Sequence, residues 1–310
     1  MYIVARPKGS MELYQFMIIY GGVILILAQI PSFHATRNIN LLSLLLVLTY
    51  AASITVASIY LGFSKNAPTR DYSIVGVGVN LVFGFFNGIS VIATVYGNGI
   101  IPEIQATVAP PVRGKMFKGL LLSYSVVIST FFSVGISGYW AFGNQAQGTV
   151  LSNFILPDGD SLLPRWFIFF TSALVFVQGV PATLIYLQPV NVILENWFSD
   201  PNKGELSPRN VVSRLVFRSL CVVLATLLAA MLPFFGDFMA LIGSFGFIPL
   251  DFILPVLFYN ITFKSSVRGS VYWVNAAIAA VFAVVAAVGI VASVRQIVLD
   301  SGTYRLFANL

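Results

Sequence analysis

Charged residues are scarce in this chain: they make up 9% of its 310 residues, whereas a soluble domain usually has about 25%. Cysteine and histidine are scarcer still, with one residue of each. Cys221 lies in an apolar segment and His34 in a loop, so neither a disulfide framework nor a zinc cluster can be built from them. We therefore expect no metal site and no cofactor.

Apolar residues dominate instead, at 58% of the chain with a mean hydropathy of +0.89. One membrane-spanning helix needs about 20 of them, and eight such stretches occur, at roughly 14–32, 41–62, 74–97, 119–142, 166–187, 216–235, 238–259 and 271–294. Their continuous apolar runs favour helices over a β-barrel. The sequence predicts an all-α integral membrane protein, a polytopic helix bundle that forms one transmembrane domain over residues 1–310.

The basic residues indicate how this bundle is oriented. The loops after the first, third, fifth and seventh predicted spans contain most of them: Arg37; Arg113, Lys115 and Lys118; Lys203, Arg209 and Arg214; Lys264 and Arg268. The opposite loops contain Lys65, Arg70 and Arg165. By the positive-inside rule the first set is cytoplasmic. The net charge of +6 is thus spread over loops, which fits lipid headgroups better than nucleic acid.

Two local signals bear on that topology. Arg6 and Lys8 precede the first span and by themselves would hold the N-terminus inside, so we expect further helices upstream of this chain. The glycosylation motif Asn260-Ile261-Thr262 falls at the predicted cytoplasmic end of the seventh span. We expect Asn260 to stay unglycosylated.

The third span ends in an unusual stretch, TVYGNGIIPEIQAT, at residues 94–107. Gly97 and Gly99 tolerate positive φ angles, Asn98 can cap a helix that restarts, and Pro102 fits its first turn. The stretch predicts a helix, an unwound joint and a half-helix. Irregular backbone within a bilayer is stable only where protein or a water-filled cavity satisfies its polar groups, as at the binding sites of secondary transporters. The alternative is that the span ends at Tyr96 and an interfacial loop follows.

A polar stripe precedes the interruption. Asn80, Asn87, Ser90 and Thr94 share one helical face. Such residues either hydrogen-bond to neighbouring helices or line a transport pathway, and the sequence does not separate the two. Gly84 and Gly88 form a GxxxG pair, for which close helix packing is the default interpretation.

Two carboxylates are candidates for proton coupling. Glu103 lies in the first turn of the predicted half-helix, where a helix dipole favours its charge; it could instead pair with Arg113 or Lys115 at the interface. Asp251 lies deep in the seventh span, so it must face the bundle interior, find a partner or carry a proton, because a central charge costs roughly 2.5 to 3.5 kcal/mol. Pro255 leaves the carbonyl of Asp251 without its helical amide partner.

Five segments together resemble the amino acid/auxin permease family: GGVILILAQIPSF, YGNGIIPEIQATV, SGYWAFGN, IYLQPVNVILE and AAMLPFFGDFMALIGSFGFIPLDFILPV. The resemblance covers essentially the whole chain. It implies an eleven-helix transporter of two inverted five-helix repeats, with the first three helices missing from this chain. It also implies proton-coupled uptake of 4-aminobutyrate or related small amino acids across the plasma membrane.

On that pattern the third span corresponds to the family's sixth helix, and the stretch from Tyr96 to Gly99 to its central break. The predicted substrate-binding residues are Asn87, Ser90, Thr94, Tyr96, Gly97, Asn98 and Gly99. The predicted proton-coupling residues are Asp251 and Glu103. The partners expected are an amino acid, protons and the lipid bilayer.

The sequence is also compatible with other functions. A non-transporting membrane interaction partner and a permease for proline or other neutral amino acids are the main alternatives. An intramembrane aspartyl protease would pair Tyr-Asp with Gly-x-Gly-Asp, whereas here Asp251 follows Leu250 and Asp237 stands in Phe-Phe-Gly-Asp. Ser, His and Asp do not cluster as a catalytic triad either, so we do not expect an enzyme.

Overall fold

The structure is a computed structural model that describes residues 12–29, 37–64, 70–74, 76–156, 160–198, 200, 207–231, 235–263 and 269–301. The α-helices in these ranges are α1 (Leu13–Leu27), α2 (Arg37–Phe63), α3 (Val79–Tyr96), α4 (Ile101–Ala106), α5 (Val112–Phe142), α6 (Arg165–Phe198), α7 (Pro208–Met231), α8 (Phe235–Ile242), α9 (Leu254–Thr262) and α10 (Gly269–Asp300). Two short 3-10 helices, Gly143–Gln145 and Val150–Phe154, follow α5. Two π-helical segments, Gly243–Phe247 and Pro249–Ile253, connect α8 to α9. The described residues do not include several residues named above: Arg6, Lys8, His34, Lys65, Lys203, Lys264 and Arg268.

Within the described residues, seven helical segments are long and apolar enough to cross a membrane: Asn40–Phe63, Val79–Ala106, Val112–Gln145, Arg165–Glu195, Pro208–Met231, Gly236–Thr262 and Gly269–Asp300. They correspond to the second to eighth predicted spans, which confirms the all-α membrane class. The first predicted span contains α1, an apolar helix of 15 residues, and its predicted end at residues 30–32 lies outside the described residues. α6 contains Pro181 and Pro189 and continues to Phe198, beyond the predicted end at Leu187. A proline within a membrane bundle interrupts single hydrogen bonds without ending the helix.

By their contacts the described residues form two helix groups. The first group contains α1, α2, most of α5, α6 and α7. One apolar core of this group lies where α2 meets the end of α5 and the start of α6, around Ile54, Leu61, Phe142, Phe154 and Ile168. A second core lies between α1, α6 and α7, around Ile24, Ala28, Leu184 and Val222. Van der Waals packing of such residues is what associates helices in lipid.

A buried arginine also joins the helices of the first group. Arg218 of α7 is only 1% exposed. Its Nε donates to Glu195 Oε1 of α6 at 2.6 Å, and its Nη1 donates to the carbonyl of Ala28, at the end of α1, at 2.9 Å. The last carbonyls of a helix have no partner within the helix. The guanidinium group of Arg218 therefore donates to one of these free carbonyls and pairs with the carboxylate of Glu195 at the same time.

The second group contains α3, α4, the two π-helical segments, α8, α9 and α10. Its core is formed by Ala93, Ile248 and Ala286, and the rings of Phe252 and Phe282 stack 4.2 Å apart beside it. Small residues bring its helices close to one another: a Cβ atom on Gly289 would lie 2.7 Å from Ser90 Oγ, and one on Gly243 would overlap the carbonyl of Ser90.

The predicted close packing at Gly84 and Gly88 does not occur among the described residues. A Cβ atom added to either would meet no atom within 4 Å in the described part of the chain. The helices of the second group meet α3 on the face that contains Ser90, and the two glycines lie on the other side of the helix. The glycines that permit close approach are therefore in the partner helices and not in the GxxxG pair.

The side chain of Asn260 is buried and hydrogen-bonded in the folded chain. It is 6% exposed, its Oδ1 accepts from Asn275 Nδ2 at 2.8 Å, and its Nδ2 donates to the carbonyl of Tyr272 at 3.2 Å. We expect the chain, synthesised in the presence of microsomes, to show no glycosidase-sensitive gel shift at this motif.

A positive control for that experiment comes from the opposite predicted face. The double substitution Asp158→Asn with Asp160→Thr places a motif in the sequence that precedes α6, which the positive-inside rule puts outside. This variant is expected to gain a glycan. A glycan on Asn260 in the unaltered chain would contradict both the buried amide and the predicted orientation.

Candidate functional site

The predicted interruption of the third span is present. α3 ends at Tyr96 and α4 begins at Ile101. The amide of Gly97 still donates to the carbonyl of Ala93 at 2.7 Å, and the next backbone bond runs from the amide of Ile101 to the carbonyl of Asn98 at 3.1 Å. In between, the amide of Gly99 makes no backbone hydrogen bond to any described residue. Carbonyls at the end of α3 likewise lack helical partners. The joint between the two helices, residues 97–100, therefore presents free backbone groups.

The predicted cap at Asn98 is wrong by two residues. The N-cap of α4 is Ile100, and Pro102 lies in the first helical turn as predicted. Asn98 Oδ1 instead accepts a long hydrogen bond from the amide of Ile100, at 3.4 Å. The asparagine therefore shapes the turn between the two helices.

The glycines of the joint are needed for close approach and not for an unusual backbone conformation. Gly97 has φ −63° and ψ 139°, which any residue can adopt, and the glycines with positive φ in the described chain are Gly76, Gly78 and Gly143. A Cβ atom on Gly97 would overlap the ring of Phe247 and would lie 2.5 Å from Asp251 Oδ2. The predicted reason for these glycines is thus corrected: Gly97 lets Asp251 lie against the backbone.

Asp251 occupies the position that its depth predicts, facing other helices of the second group. The main-chain amide of Asn98 lies near its carboxyl group and interacts with it electrostatically. Its Oδ2 is buried and has no hydrogen-bond partner among the described residues. The ion pairs formed between described residues, Arg209 with Asp200 and Arg218 with Glu195, do not include it. A carboxyl group is therefore held beside the joint without a cation from the described part of the chain.

The helix that contains Asp251 has a feature that the sequence interpretation missed. It widens into π-helical turns, in which the amide of Ile248 donates to the carbonyl of Gly243 and that of Leu254 to the carbonyl of Pro249. Proline cannot donate to the carbonyl four residues back. Pro249 begins the second π-helical segment, and Pro255 follows it in the first turn of α9. π-Helical turns are rare and often occur at functional sites. The two prolines in one apolar run were the available signal.

The polar stripe of α3 is divided between different environments. Asn80 lies about 25 Å along the chain from the joint, where its Oδ1 accepts from Arg295 Nη2 at 2.6 Å. Ser90 is fully buried and donates to the carbonyl of Phe86 at 2.8 Å. Thr94 Oγ1 lies 2.8 Å from the carbonyl of Met239 and 3.1 Å from that of Ser90. Ser90 and Thr94 thus contribute to helix packing.

Three further predicted residues differ in their accessibility. The Oδ1 atom of Asn87 is buried and has no hydrogen-bond partner in the described part of the chain. Tyr96 is half-buried at the end of α3, beside the joint. Glu103 is exposed in the first turn of α4. The structure therefore brings Asp251 to the joint with Gly97 and Asn98, while Glu103 lies on an exposed surface.

Comparisons with known proteins agree with this architecture. The profile of the family described as "Transmembrane amino acid transporter protein" matches residues 3–299. GABA transporter 1 of Arabidopsis thaliana is 55% identical over the whole chain, which covers 69% of its length. Lysine histidine transporter-like 1 of the same plant is 26% identical over 99% of this chain and 66% of its own length. Amino acid permease 8 is 29% identical over 98% of this chain and 68% of its own length.

The chain thus spans about two thirds of the length of the curated relatives it matches. No solved structure matches it.

Proposed function

Because the chain belongs to the transmembrane amino acid transporter family, we propose that it imports small amino acids together with protons, and that 4-aminobutyrate is its main substrate. The family moves its substrates without converting them, so no catalytic residue is required. The chain is a multi-pass membrane protein, and the plasma membrane is the typical location for this family.

One observation supports the transport mechanism above all: the interrupted helix α3–α4 lies against a buried carboxyl group. The joint offers the free amide of Gly99 and carbonyls from the end of α3. Polar backbone groups of this kind bind the charged ends of substrates in broken-helix transporters. An amino acid zwitterion needs both donors and acceptors, and the joint supplies both.

Asp251 is the proposed proton carrier. Its Oδ2 is buried without a hydrogen-bond partner among the described residues, and a charge at such depth costs roughly 2.5 to 3.5 kcal/mol. A proton bound there removes the charge, and its release restores it. Since the carboxyl lies against the backbone of Gly97 and close to the amide of Asn98, a change in its charge alters the electrostatic environment of the substrate-binding backbone.

The substrate contacts are assigned to Tyr96, Gly97, Asn98 and Gly99, with Asn87 on the approach to them. Asn87 is included because its buried Oδ1 lacks a partner in the described chain. Ser90 and Thr94 remain predicted contacts that require α3 to separate from its neighbours. The choice of 4-aminobutyrate over proline or another neutral amino acid is supported by the similarity to GABA transporter 1.

Uptake into proteoliposomes tests the proposal and distinguishes the two candidate carboxylates. Labelled 4-aminobutyrate is expected to accumulate when the interior is made alkaline, and an excess of unlabelled proline is expected to compete poorly. Asp251→Asn is expected to lose the response to the pH gradient, while exchange of substrate across the membrane persists. Glu103→Gln is expected to respond as the unaltered chain does, since Glu103 is exposed.

Each other outcome has a specific meaning. If Glu103→Gln loses the response to the pH gradient and Asp251→Asn keeps it, the proton carrier is Glu103. Uptake insensitive to the gradient in the unaltered chain would remove proton coupling. An absence of any uptake by correctly inserted protein would favour the alternative of a non-transporting interaction partner.

A further inference from the structure

A cavity of about 430 Å³ lies within the first helix group, between α1, α6 and α7. The cavity is lined by Phe16 and Tyr20 of α1, Phe176 and Leu187 of α6, and Val222 and Thr226 of α7. None of the described residues that line it is charged. This size and lining are typical of sites that bind apolar small molecules through a few placed polar groups.

The cavity opens on an apolar surface. Ala225 and Ala229 line it and are themselves exposed. On the same helices, Ile18 of α1 is 57% exposed and Leu228 of α7 is 54% exposed. An apolar surface of this kind on the membrane-spanning helix α7 is suited to contact with lipid hydrocarbon, so an apolar molecule can reach the cavity from the lipid phase.

The hydroxyl group of Thr226 is uncommitted at the wall of this cavity. Other helical threonines, among them Thr55, Thr171 and Thr183, donate to the carbonyl four residues earlier, at 2.8 to 2.9 Å. Thr226 forms no hydrogen bond with any described residue. Its side chain lies against Gly21, where a Cβ atom would come within 2.5 Å of Thr226 Oγ1. Thr226 is half-buried, so its free hydroxyl group can form a hydrogen bond with a ligand in the cavity.

Tyr20 adds a second, weaker polar feature. The hydroxyl of Thr183 donates to the carbonyl of Gly179, so the Tyr20 hydroxyl donates to Thr183 Oγ1 at 2.9 Å. The Tyr20 oxygen keeps its capacity to accept a hydrogen bond. The cavity thus combines an apolar body with a small hydroxyl-rich region.

We propose that this cavity binds one membrane sterol, a rigid apolar ring system with a single hydroxyl group. The absence of charge among its described lining residues excludes a phospholipid headgroup and an amino acid zwitterion. An acyl chain would fill the volume but would leave Thr226 without a partner. A sterol satisfies both features, and its site rests on residues of the first group alone.

Photolabelling tests this proposal with the full chain in detergent. The probe is a sterol with a photoreactive diazirine in its ring and an alkyne on its tail. Saturable labelling is expected on peptides of α1, α6 or α7. Unlabelled sterol should displace the probe, and an analogue that lacks the hydroxyl should displace it about two- to tenfold less well, as one net hydrogen bond predicts.

Two pairs of variants decide between specific binding and general lipid contact. Thr226→Val keeps the shape and should weaken labelling about two- to tenfold, whereas Thr130→Val, at a threonine of α5 bonded to Val126, should not. Ala229→Trp should abolish labelling by filling the cavity, whereas Val223→Trp, at an exposed position of α7 outside the lining, should leave it intact.

The proposal would be overturned by labelling that maps elsewhere, by equal displacement with phosphatidylcholine or the deoxy analogue, or by unchanged labelling of Thr226→Val. A monodisperse elution profile is required of each variant. If Ala229→Trp does not meet that condition, the isosteric Thr226→Val decides the question.

Discussion

Uptake of 4-aminobutyrate by the Gly97→Ala variant is expected to fall about tenfold or more, because overpacking of a close contact costs about 1 to 3 kcal/mol. The added methyl group would overlap the ring of Phe247 and come within 2.5 Å of Asp251 Oδ2 and 2.7 Å of the carbonyl of Ala93. The backbone carbonyl cannot move away as a flexible side chain can. The methyl group must therefore separate the joint from Asp251, and the proposed coupling of proton and substrate depends on this contact.

Two other glycines provide a graded comparison. Gly88→Ala, in the same helix, adds a methyl group with no atom within 4 Å among the described residues, and alanine is the better helix former by roughly 0.5 to 1 kcal/mol. Its uptake should equal that of the unaltered chain. Gly99→Ala meets only the end of the Leu250 side chain, at 2.8 Å, and should be intermediate. Normal uptake by Gly97→Ala would show that this contact has no part in transport.

Removal of the buried arginine is expected to have the largest effect on stability. Arg218→Ala leaves Glu195 and the carbonyl of Ala28 without the guanidinium that joins them. Loss of one partner from a buried ion pair costs about 3 to 5 kcal/mol. We expect a much lower midpoint of thermal unfolding in detergent, followed by tryptophan fluorescence, and a reduced yield of monodisperse protein.

Arg214, one turn earlier in α7, is the matched control. It forms no ion pair with a described residue, so Arg214→Ala should change the midpoint little. Arg218→Lys should recover only part of the loss, because an ammonium group cannot reproduce the fixed geometry of the guanidinium. Equal midpoints for Arg218→Ala and Arg214→Ala would refute the role of Arg218 as a clamp between α1, α6 and α7.

The interruption of α3 was predictable because its causes are local. Two glycines, an asparagine and a proline within six residues disfavour a continuous helix, and the structure interrupts it at Gly97. The family prediction is likewise confirmed by the profile match and by the 55% identity to GABA transporter 1.

The reason for Gly97 was not predictable, since it depends on Phe247 and Asp251, which lie about 150 residues later in the chain. The division of the polar stripe has the same origin. Periodicity places Asn80, Ser90 and Thr94 on one face, but only the neighbouring helices decide that Asn80 meets Arg295 while Ser90 is packed against glycines. The π-helical turns depend on how Pro249 and Pro255 are accommodated, which sequence spacing alone does not determine.

A structure of the protein determined by electron microscopy with 4-aminobutyrate bound is the most direct test of the central claim. The account predicts substrate density against the backbone of Gly97, Asn98 and Gly99, with the carboxyl of Asp251 adjacent to that joint. Continuous helical hydrogen bonding from Val91 to Gln105, or substrate bound away from the joint, would contradict it.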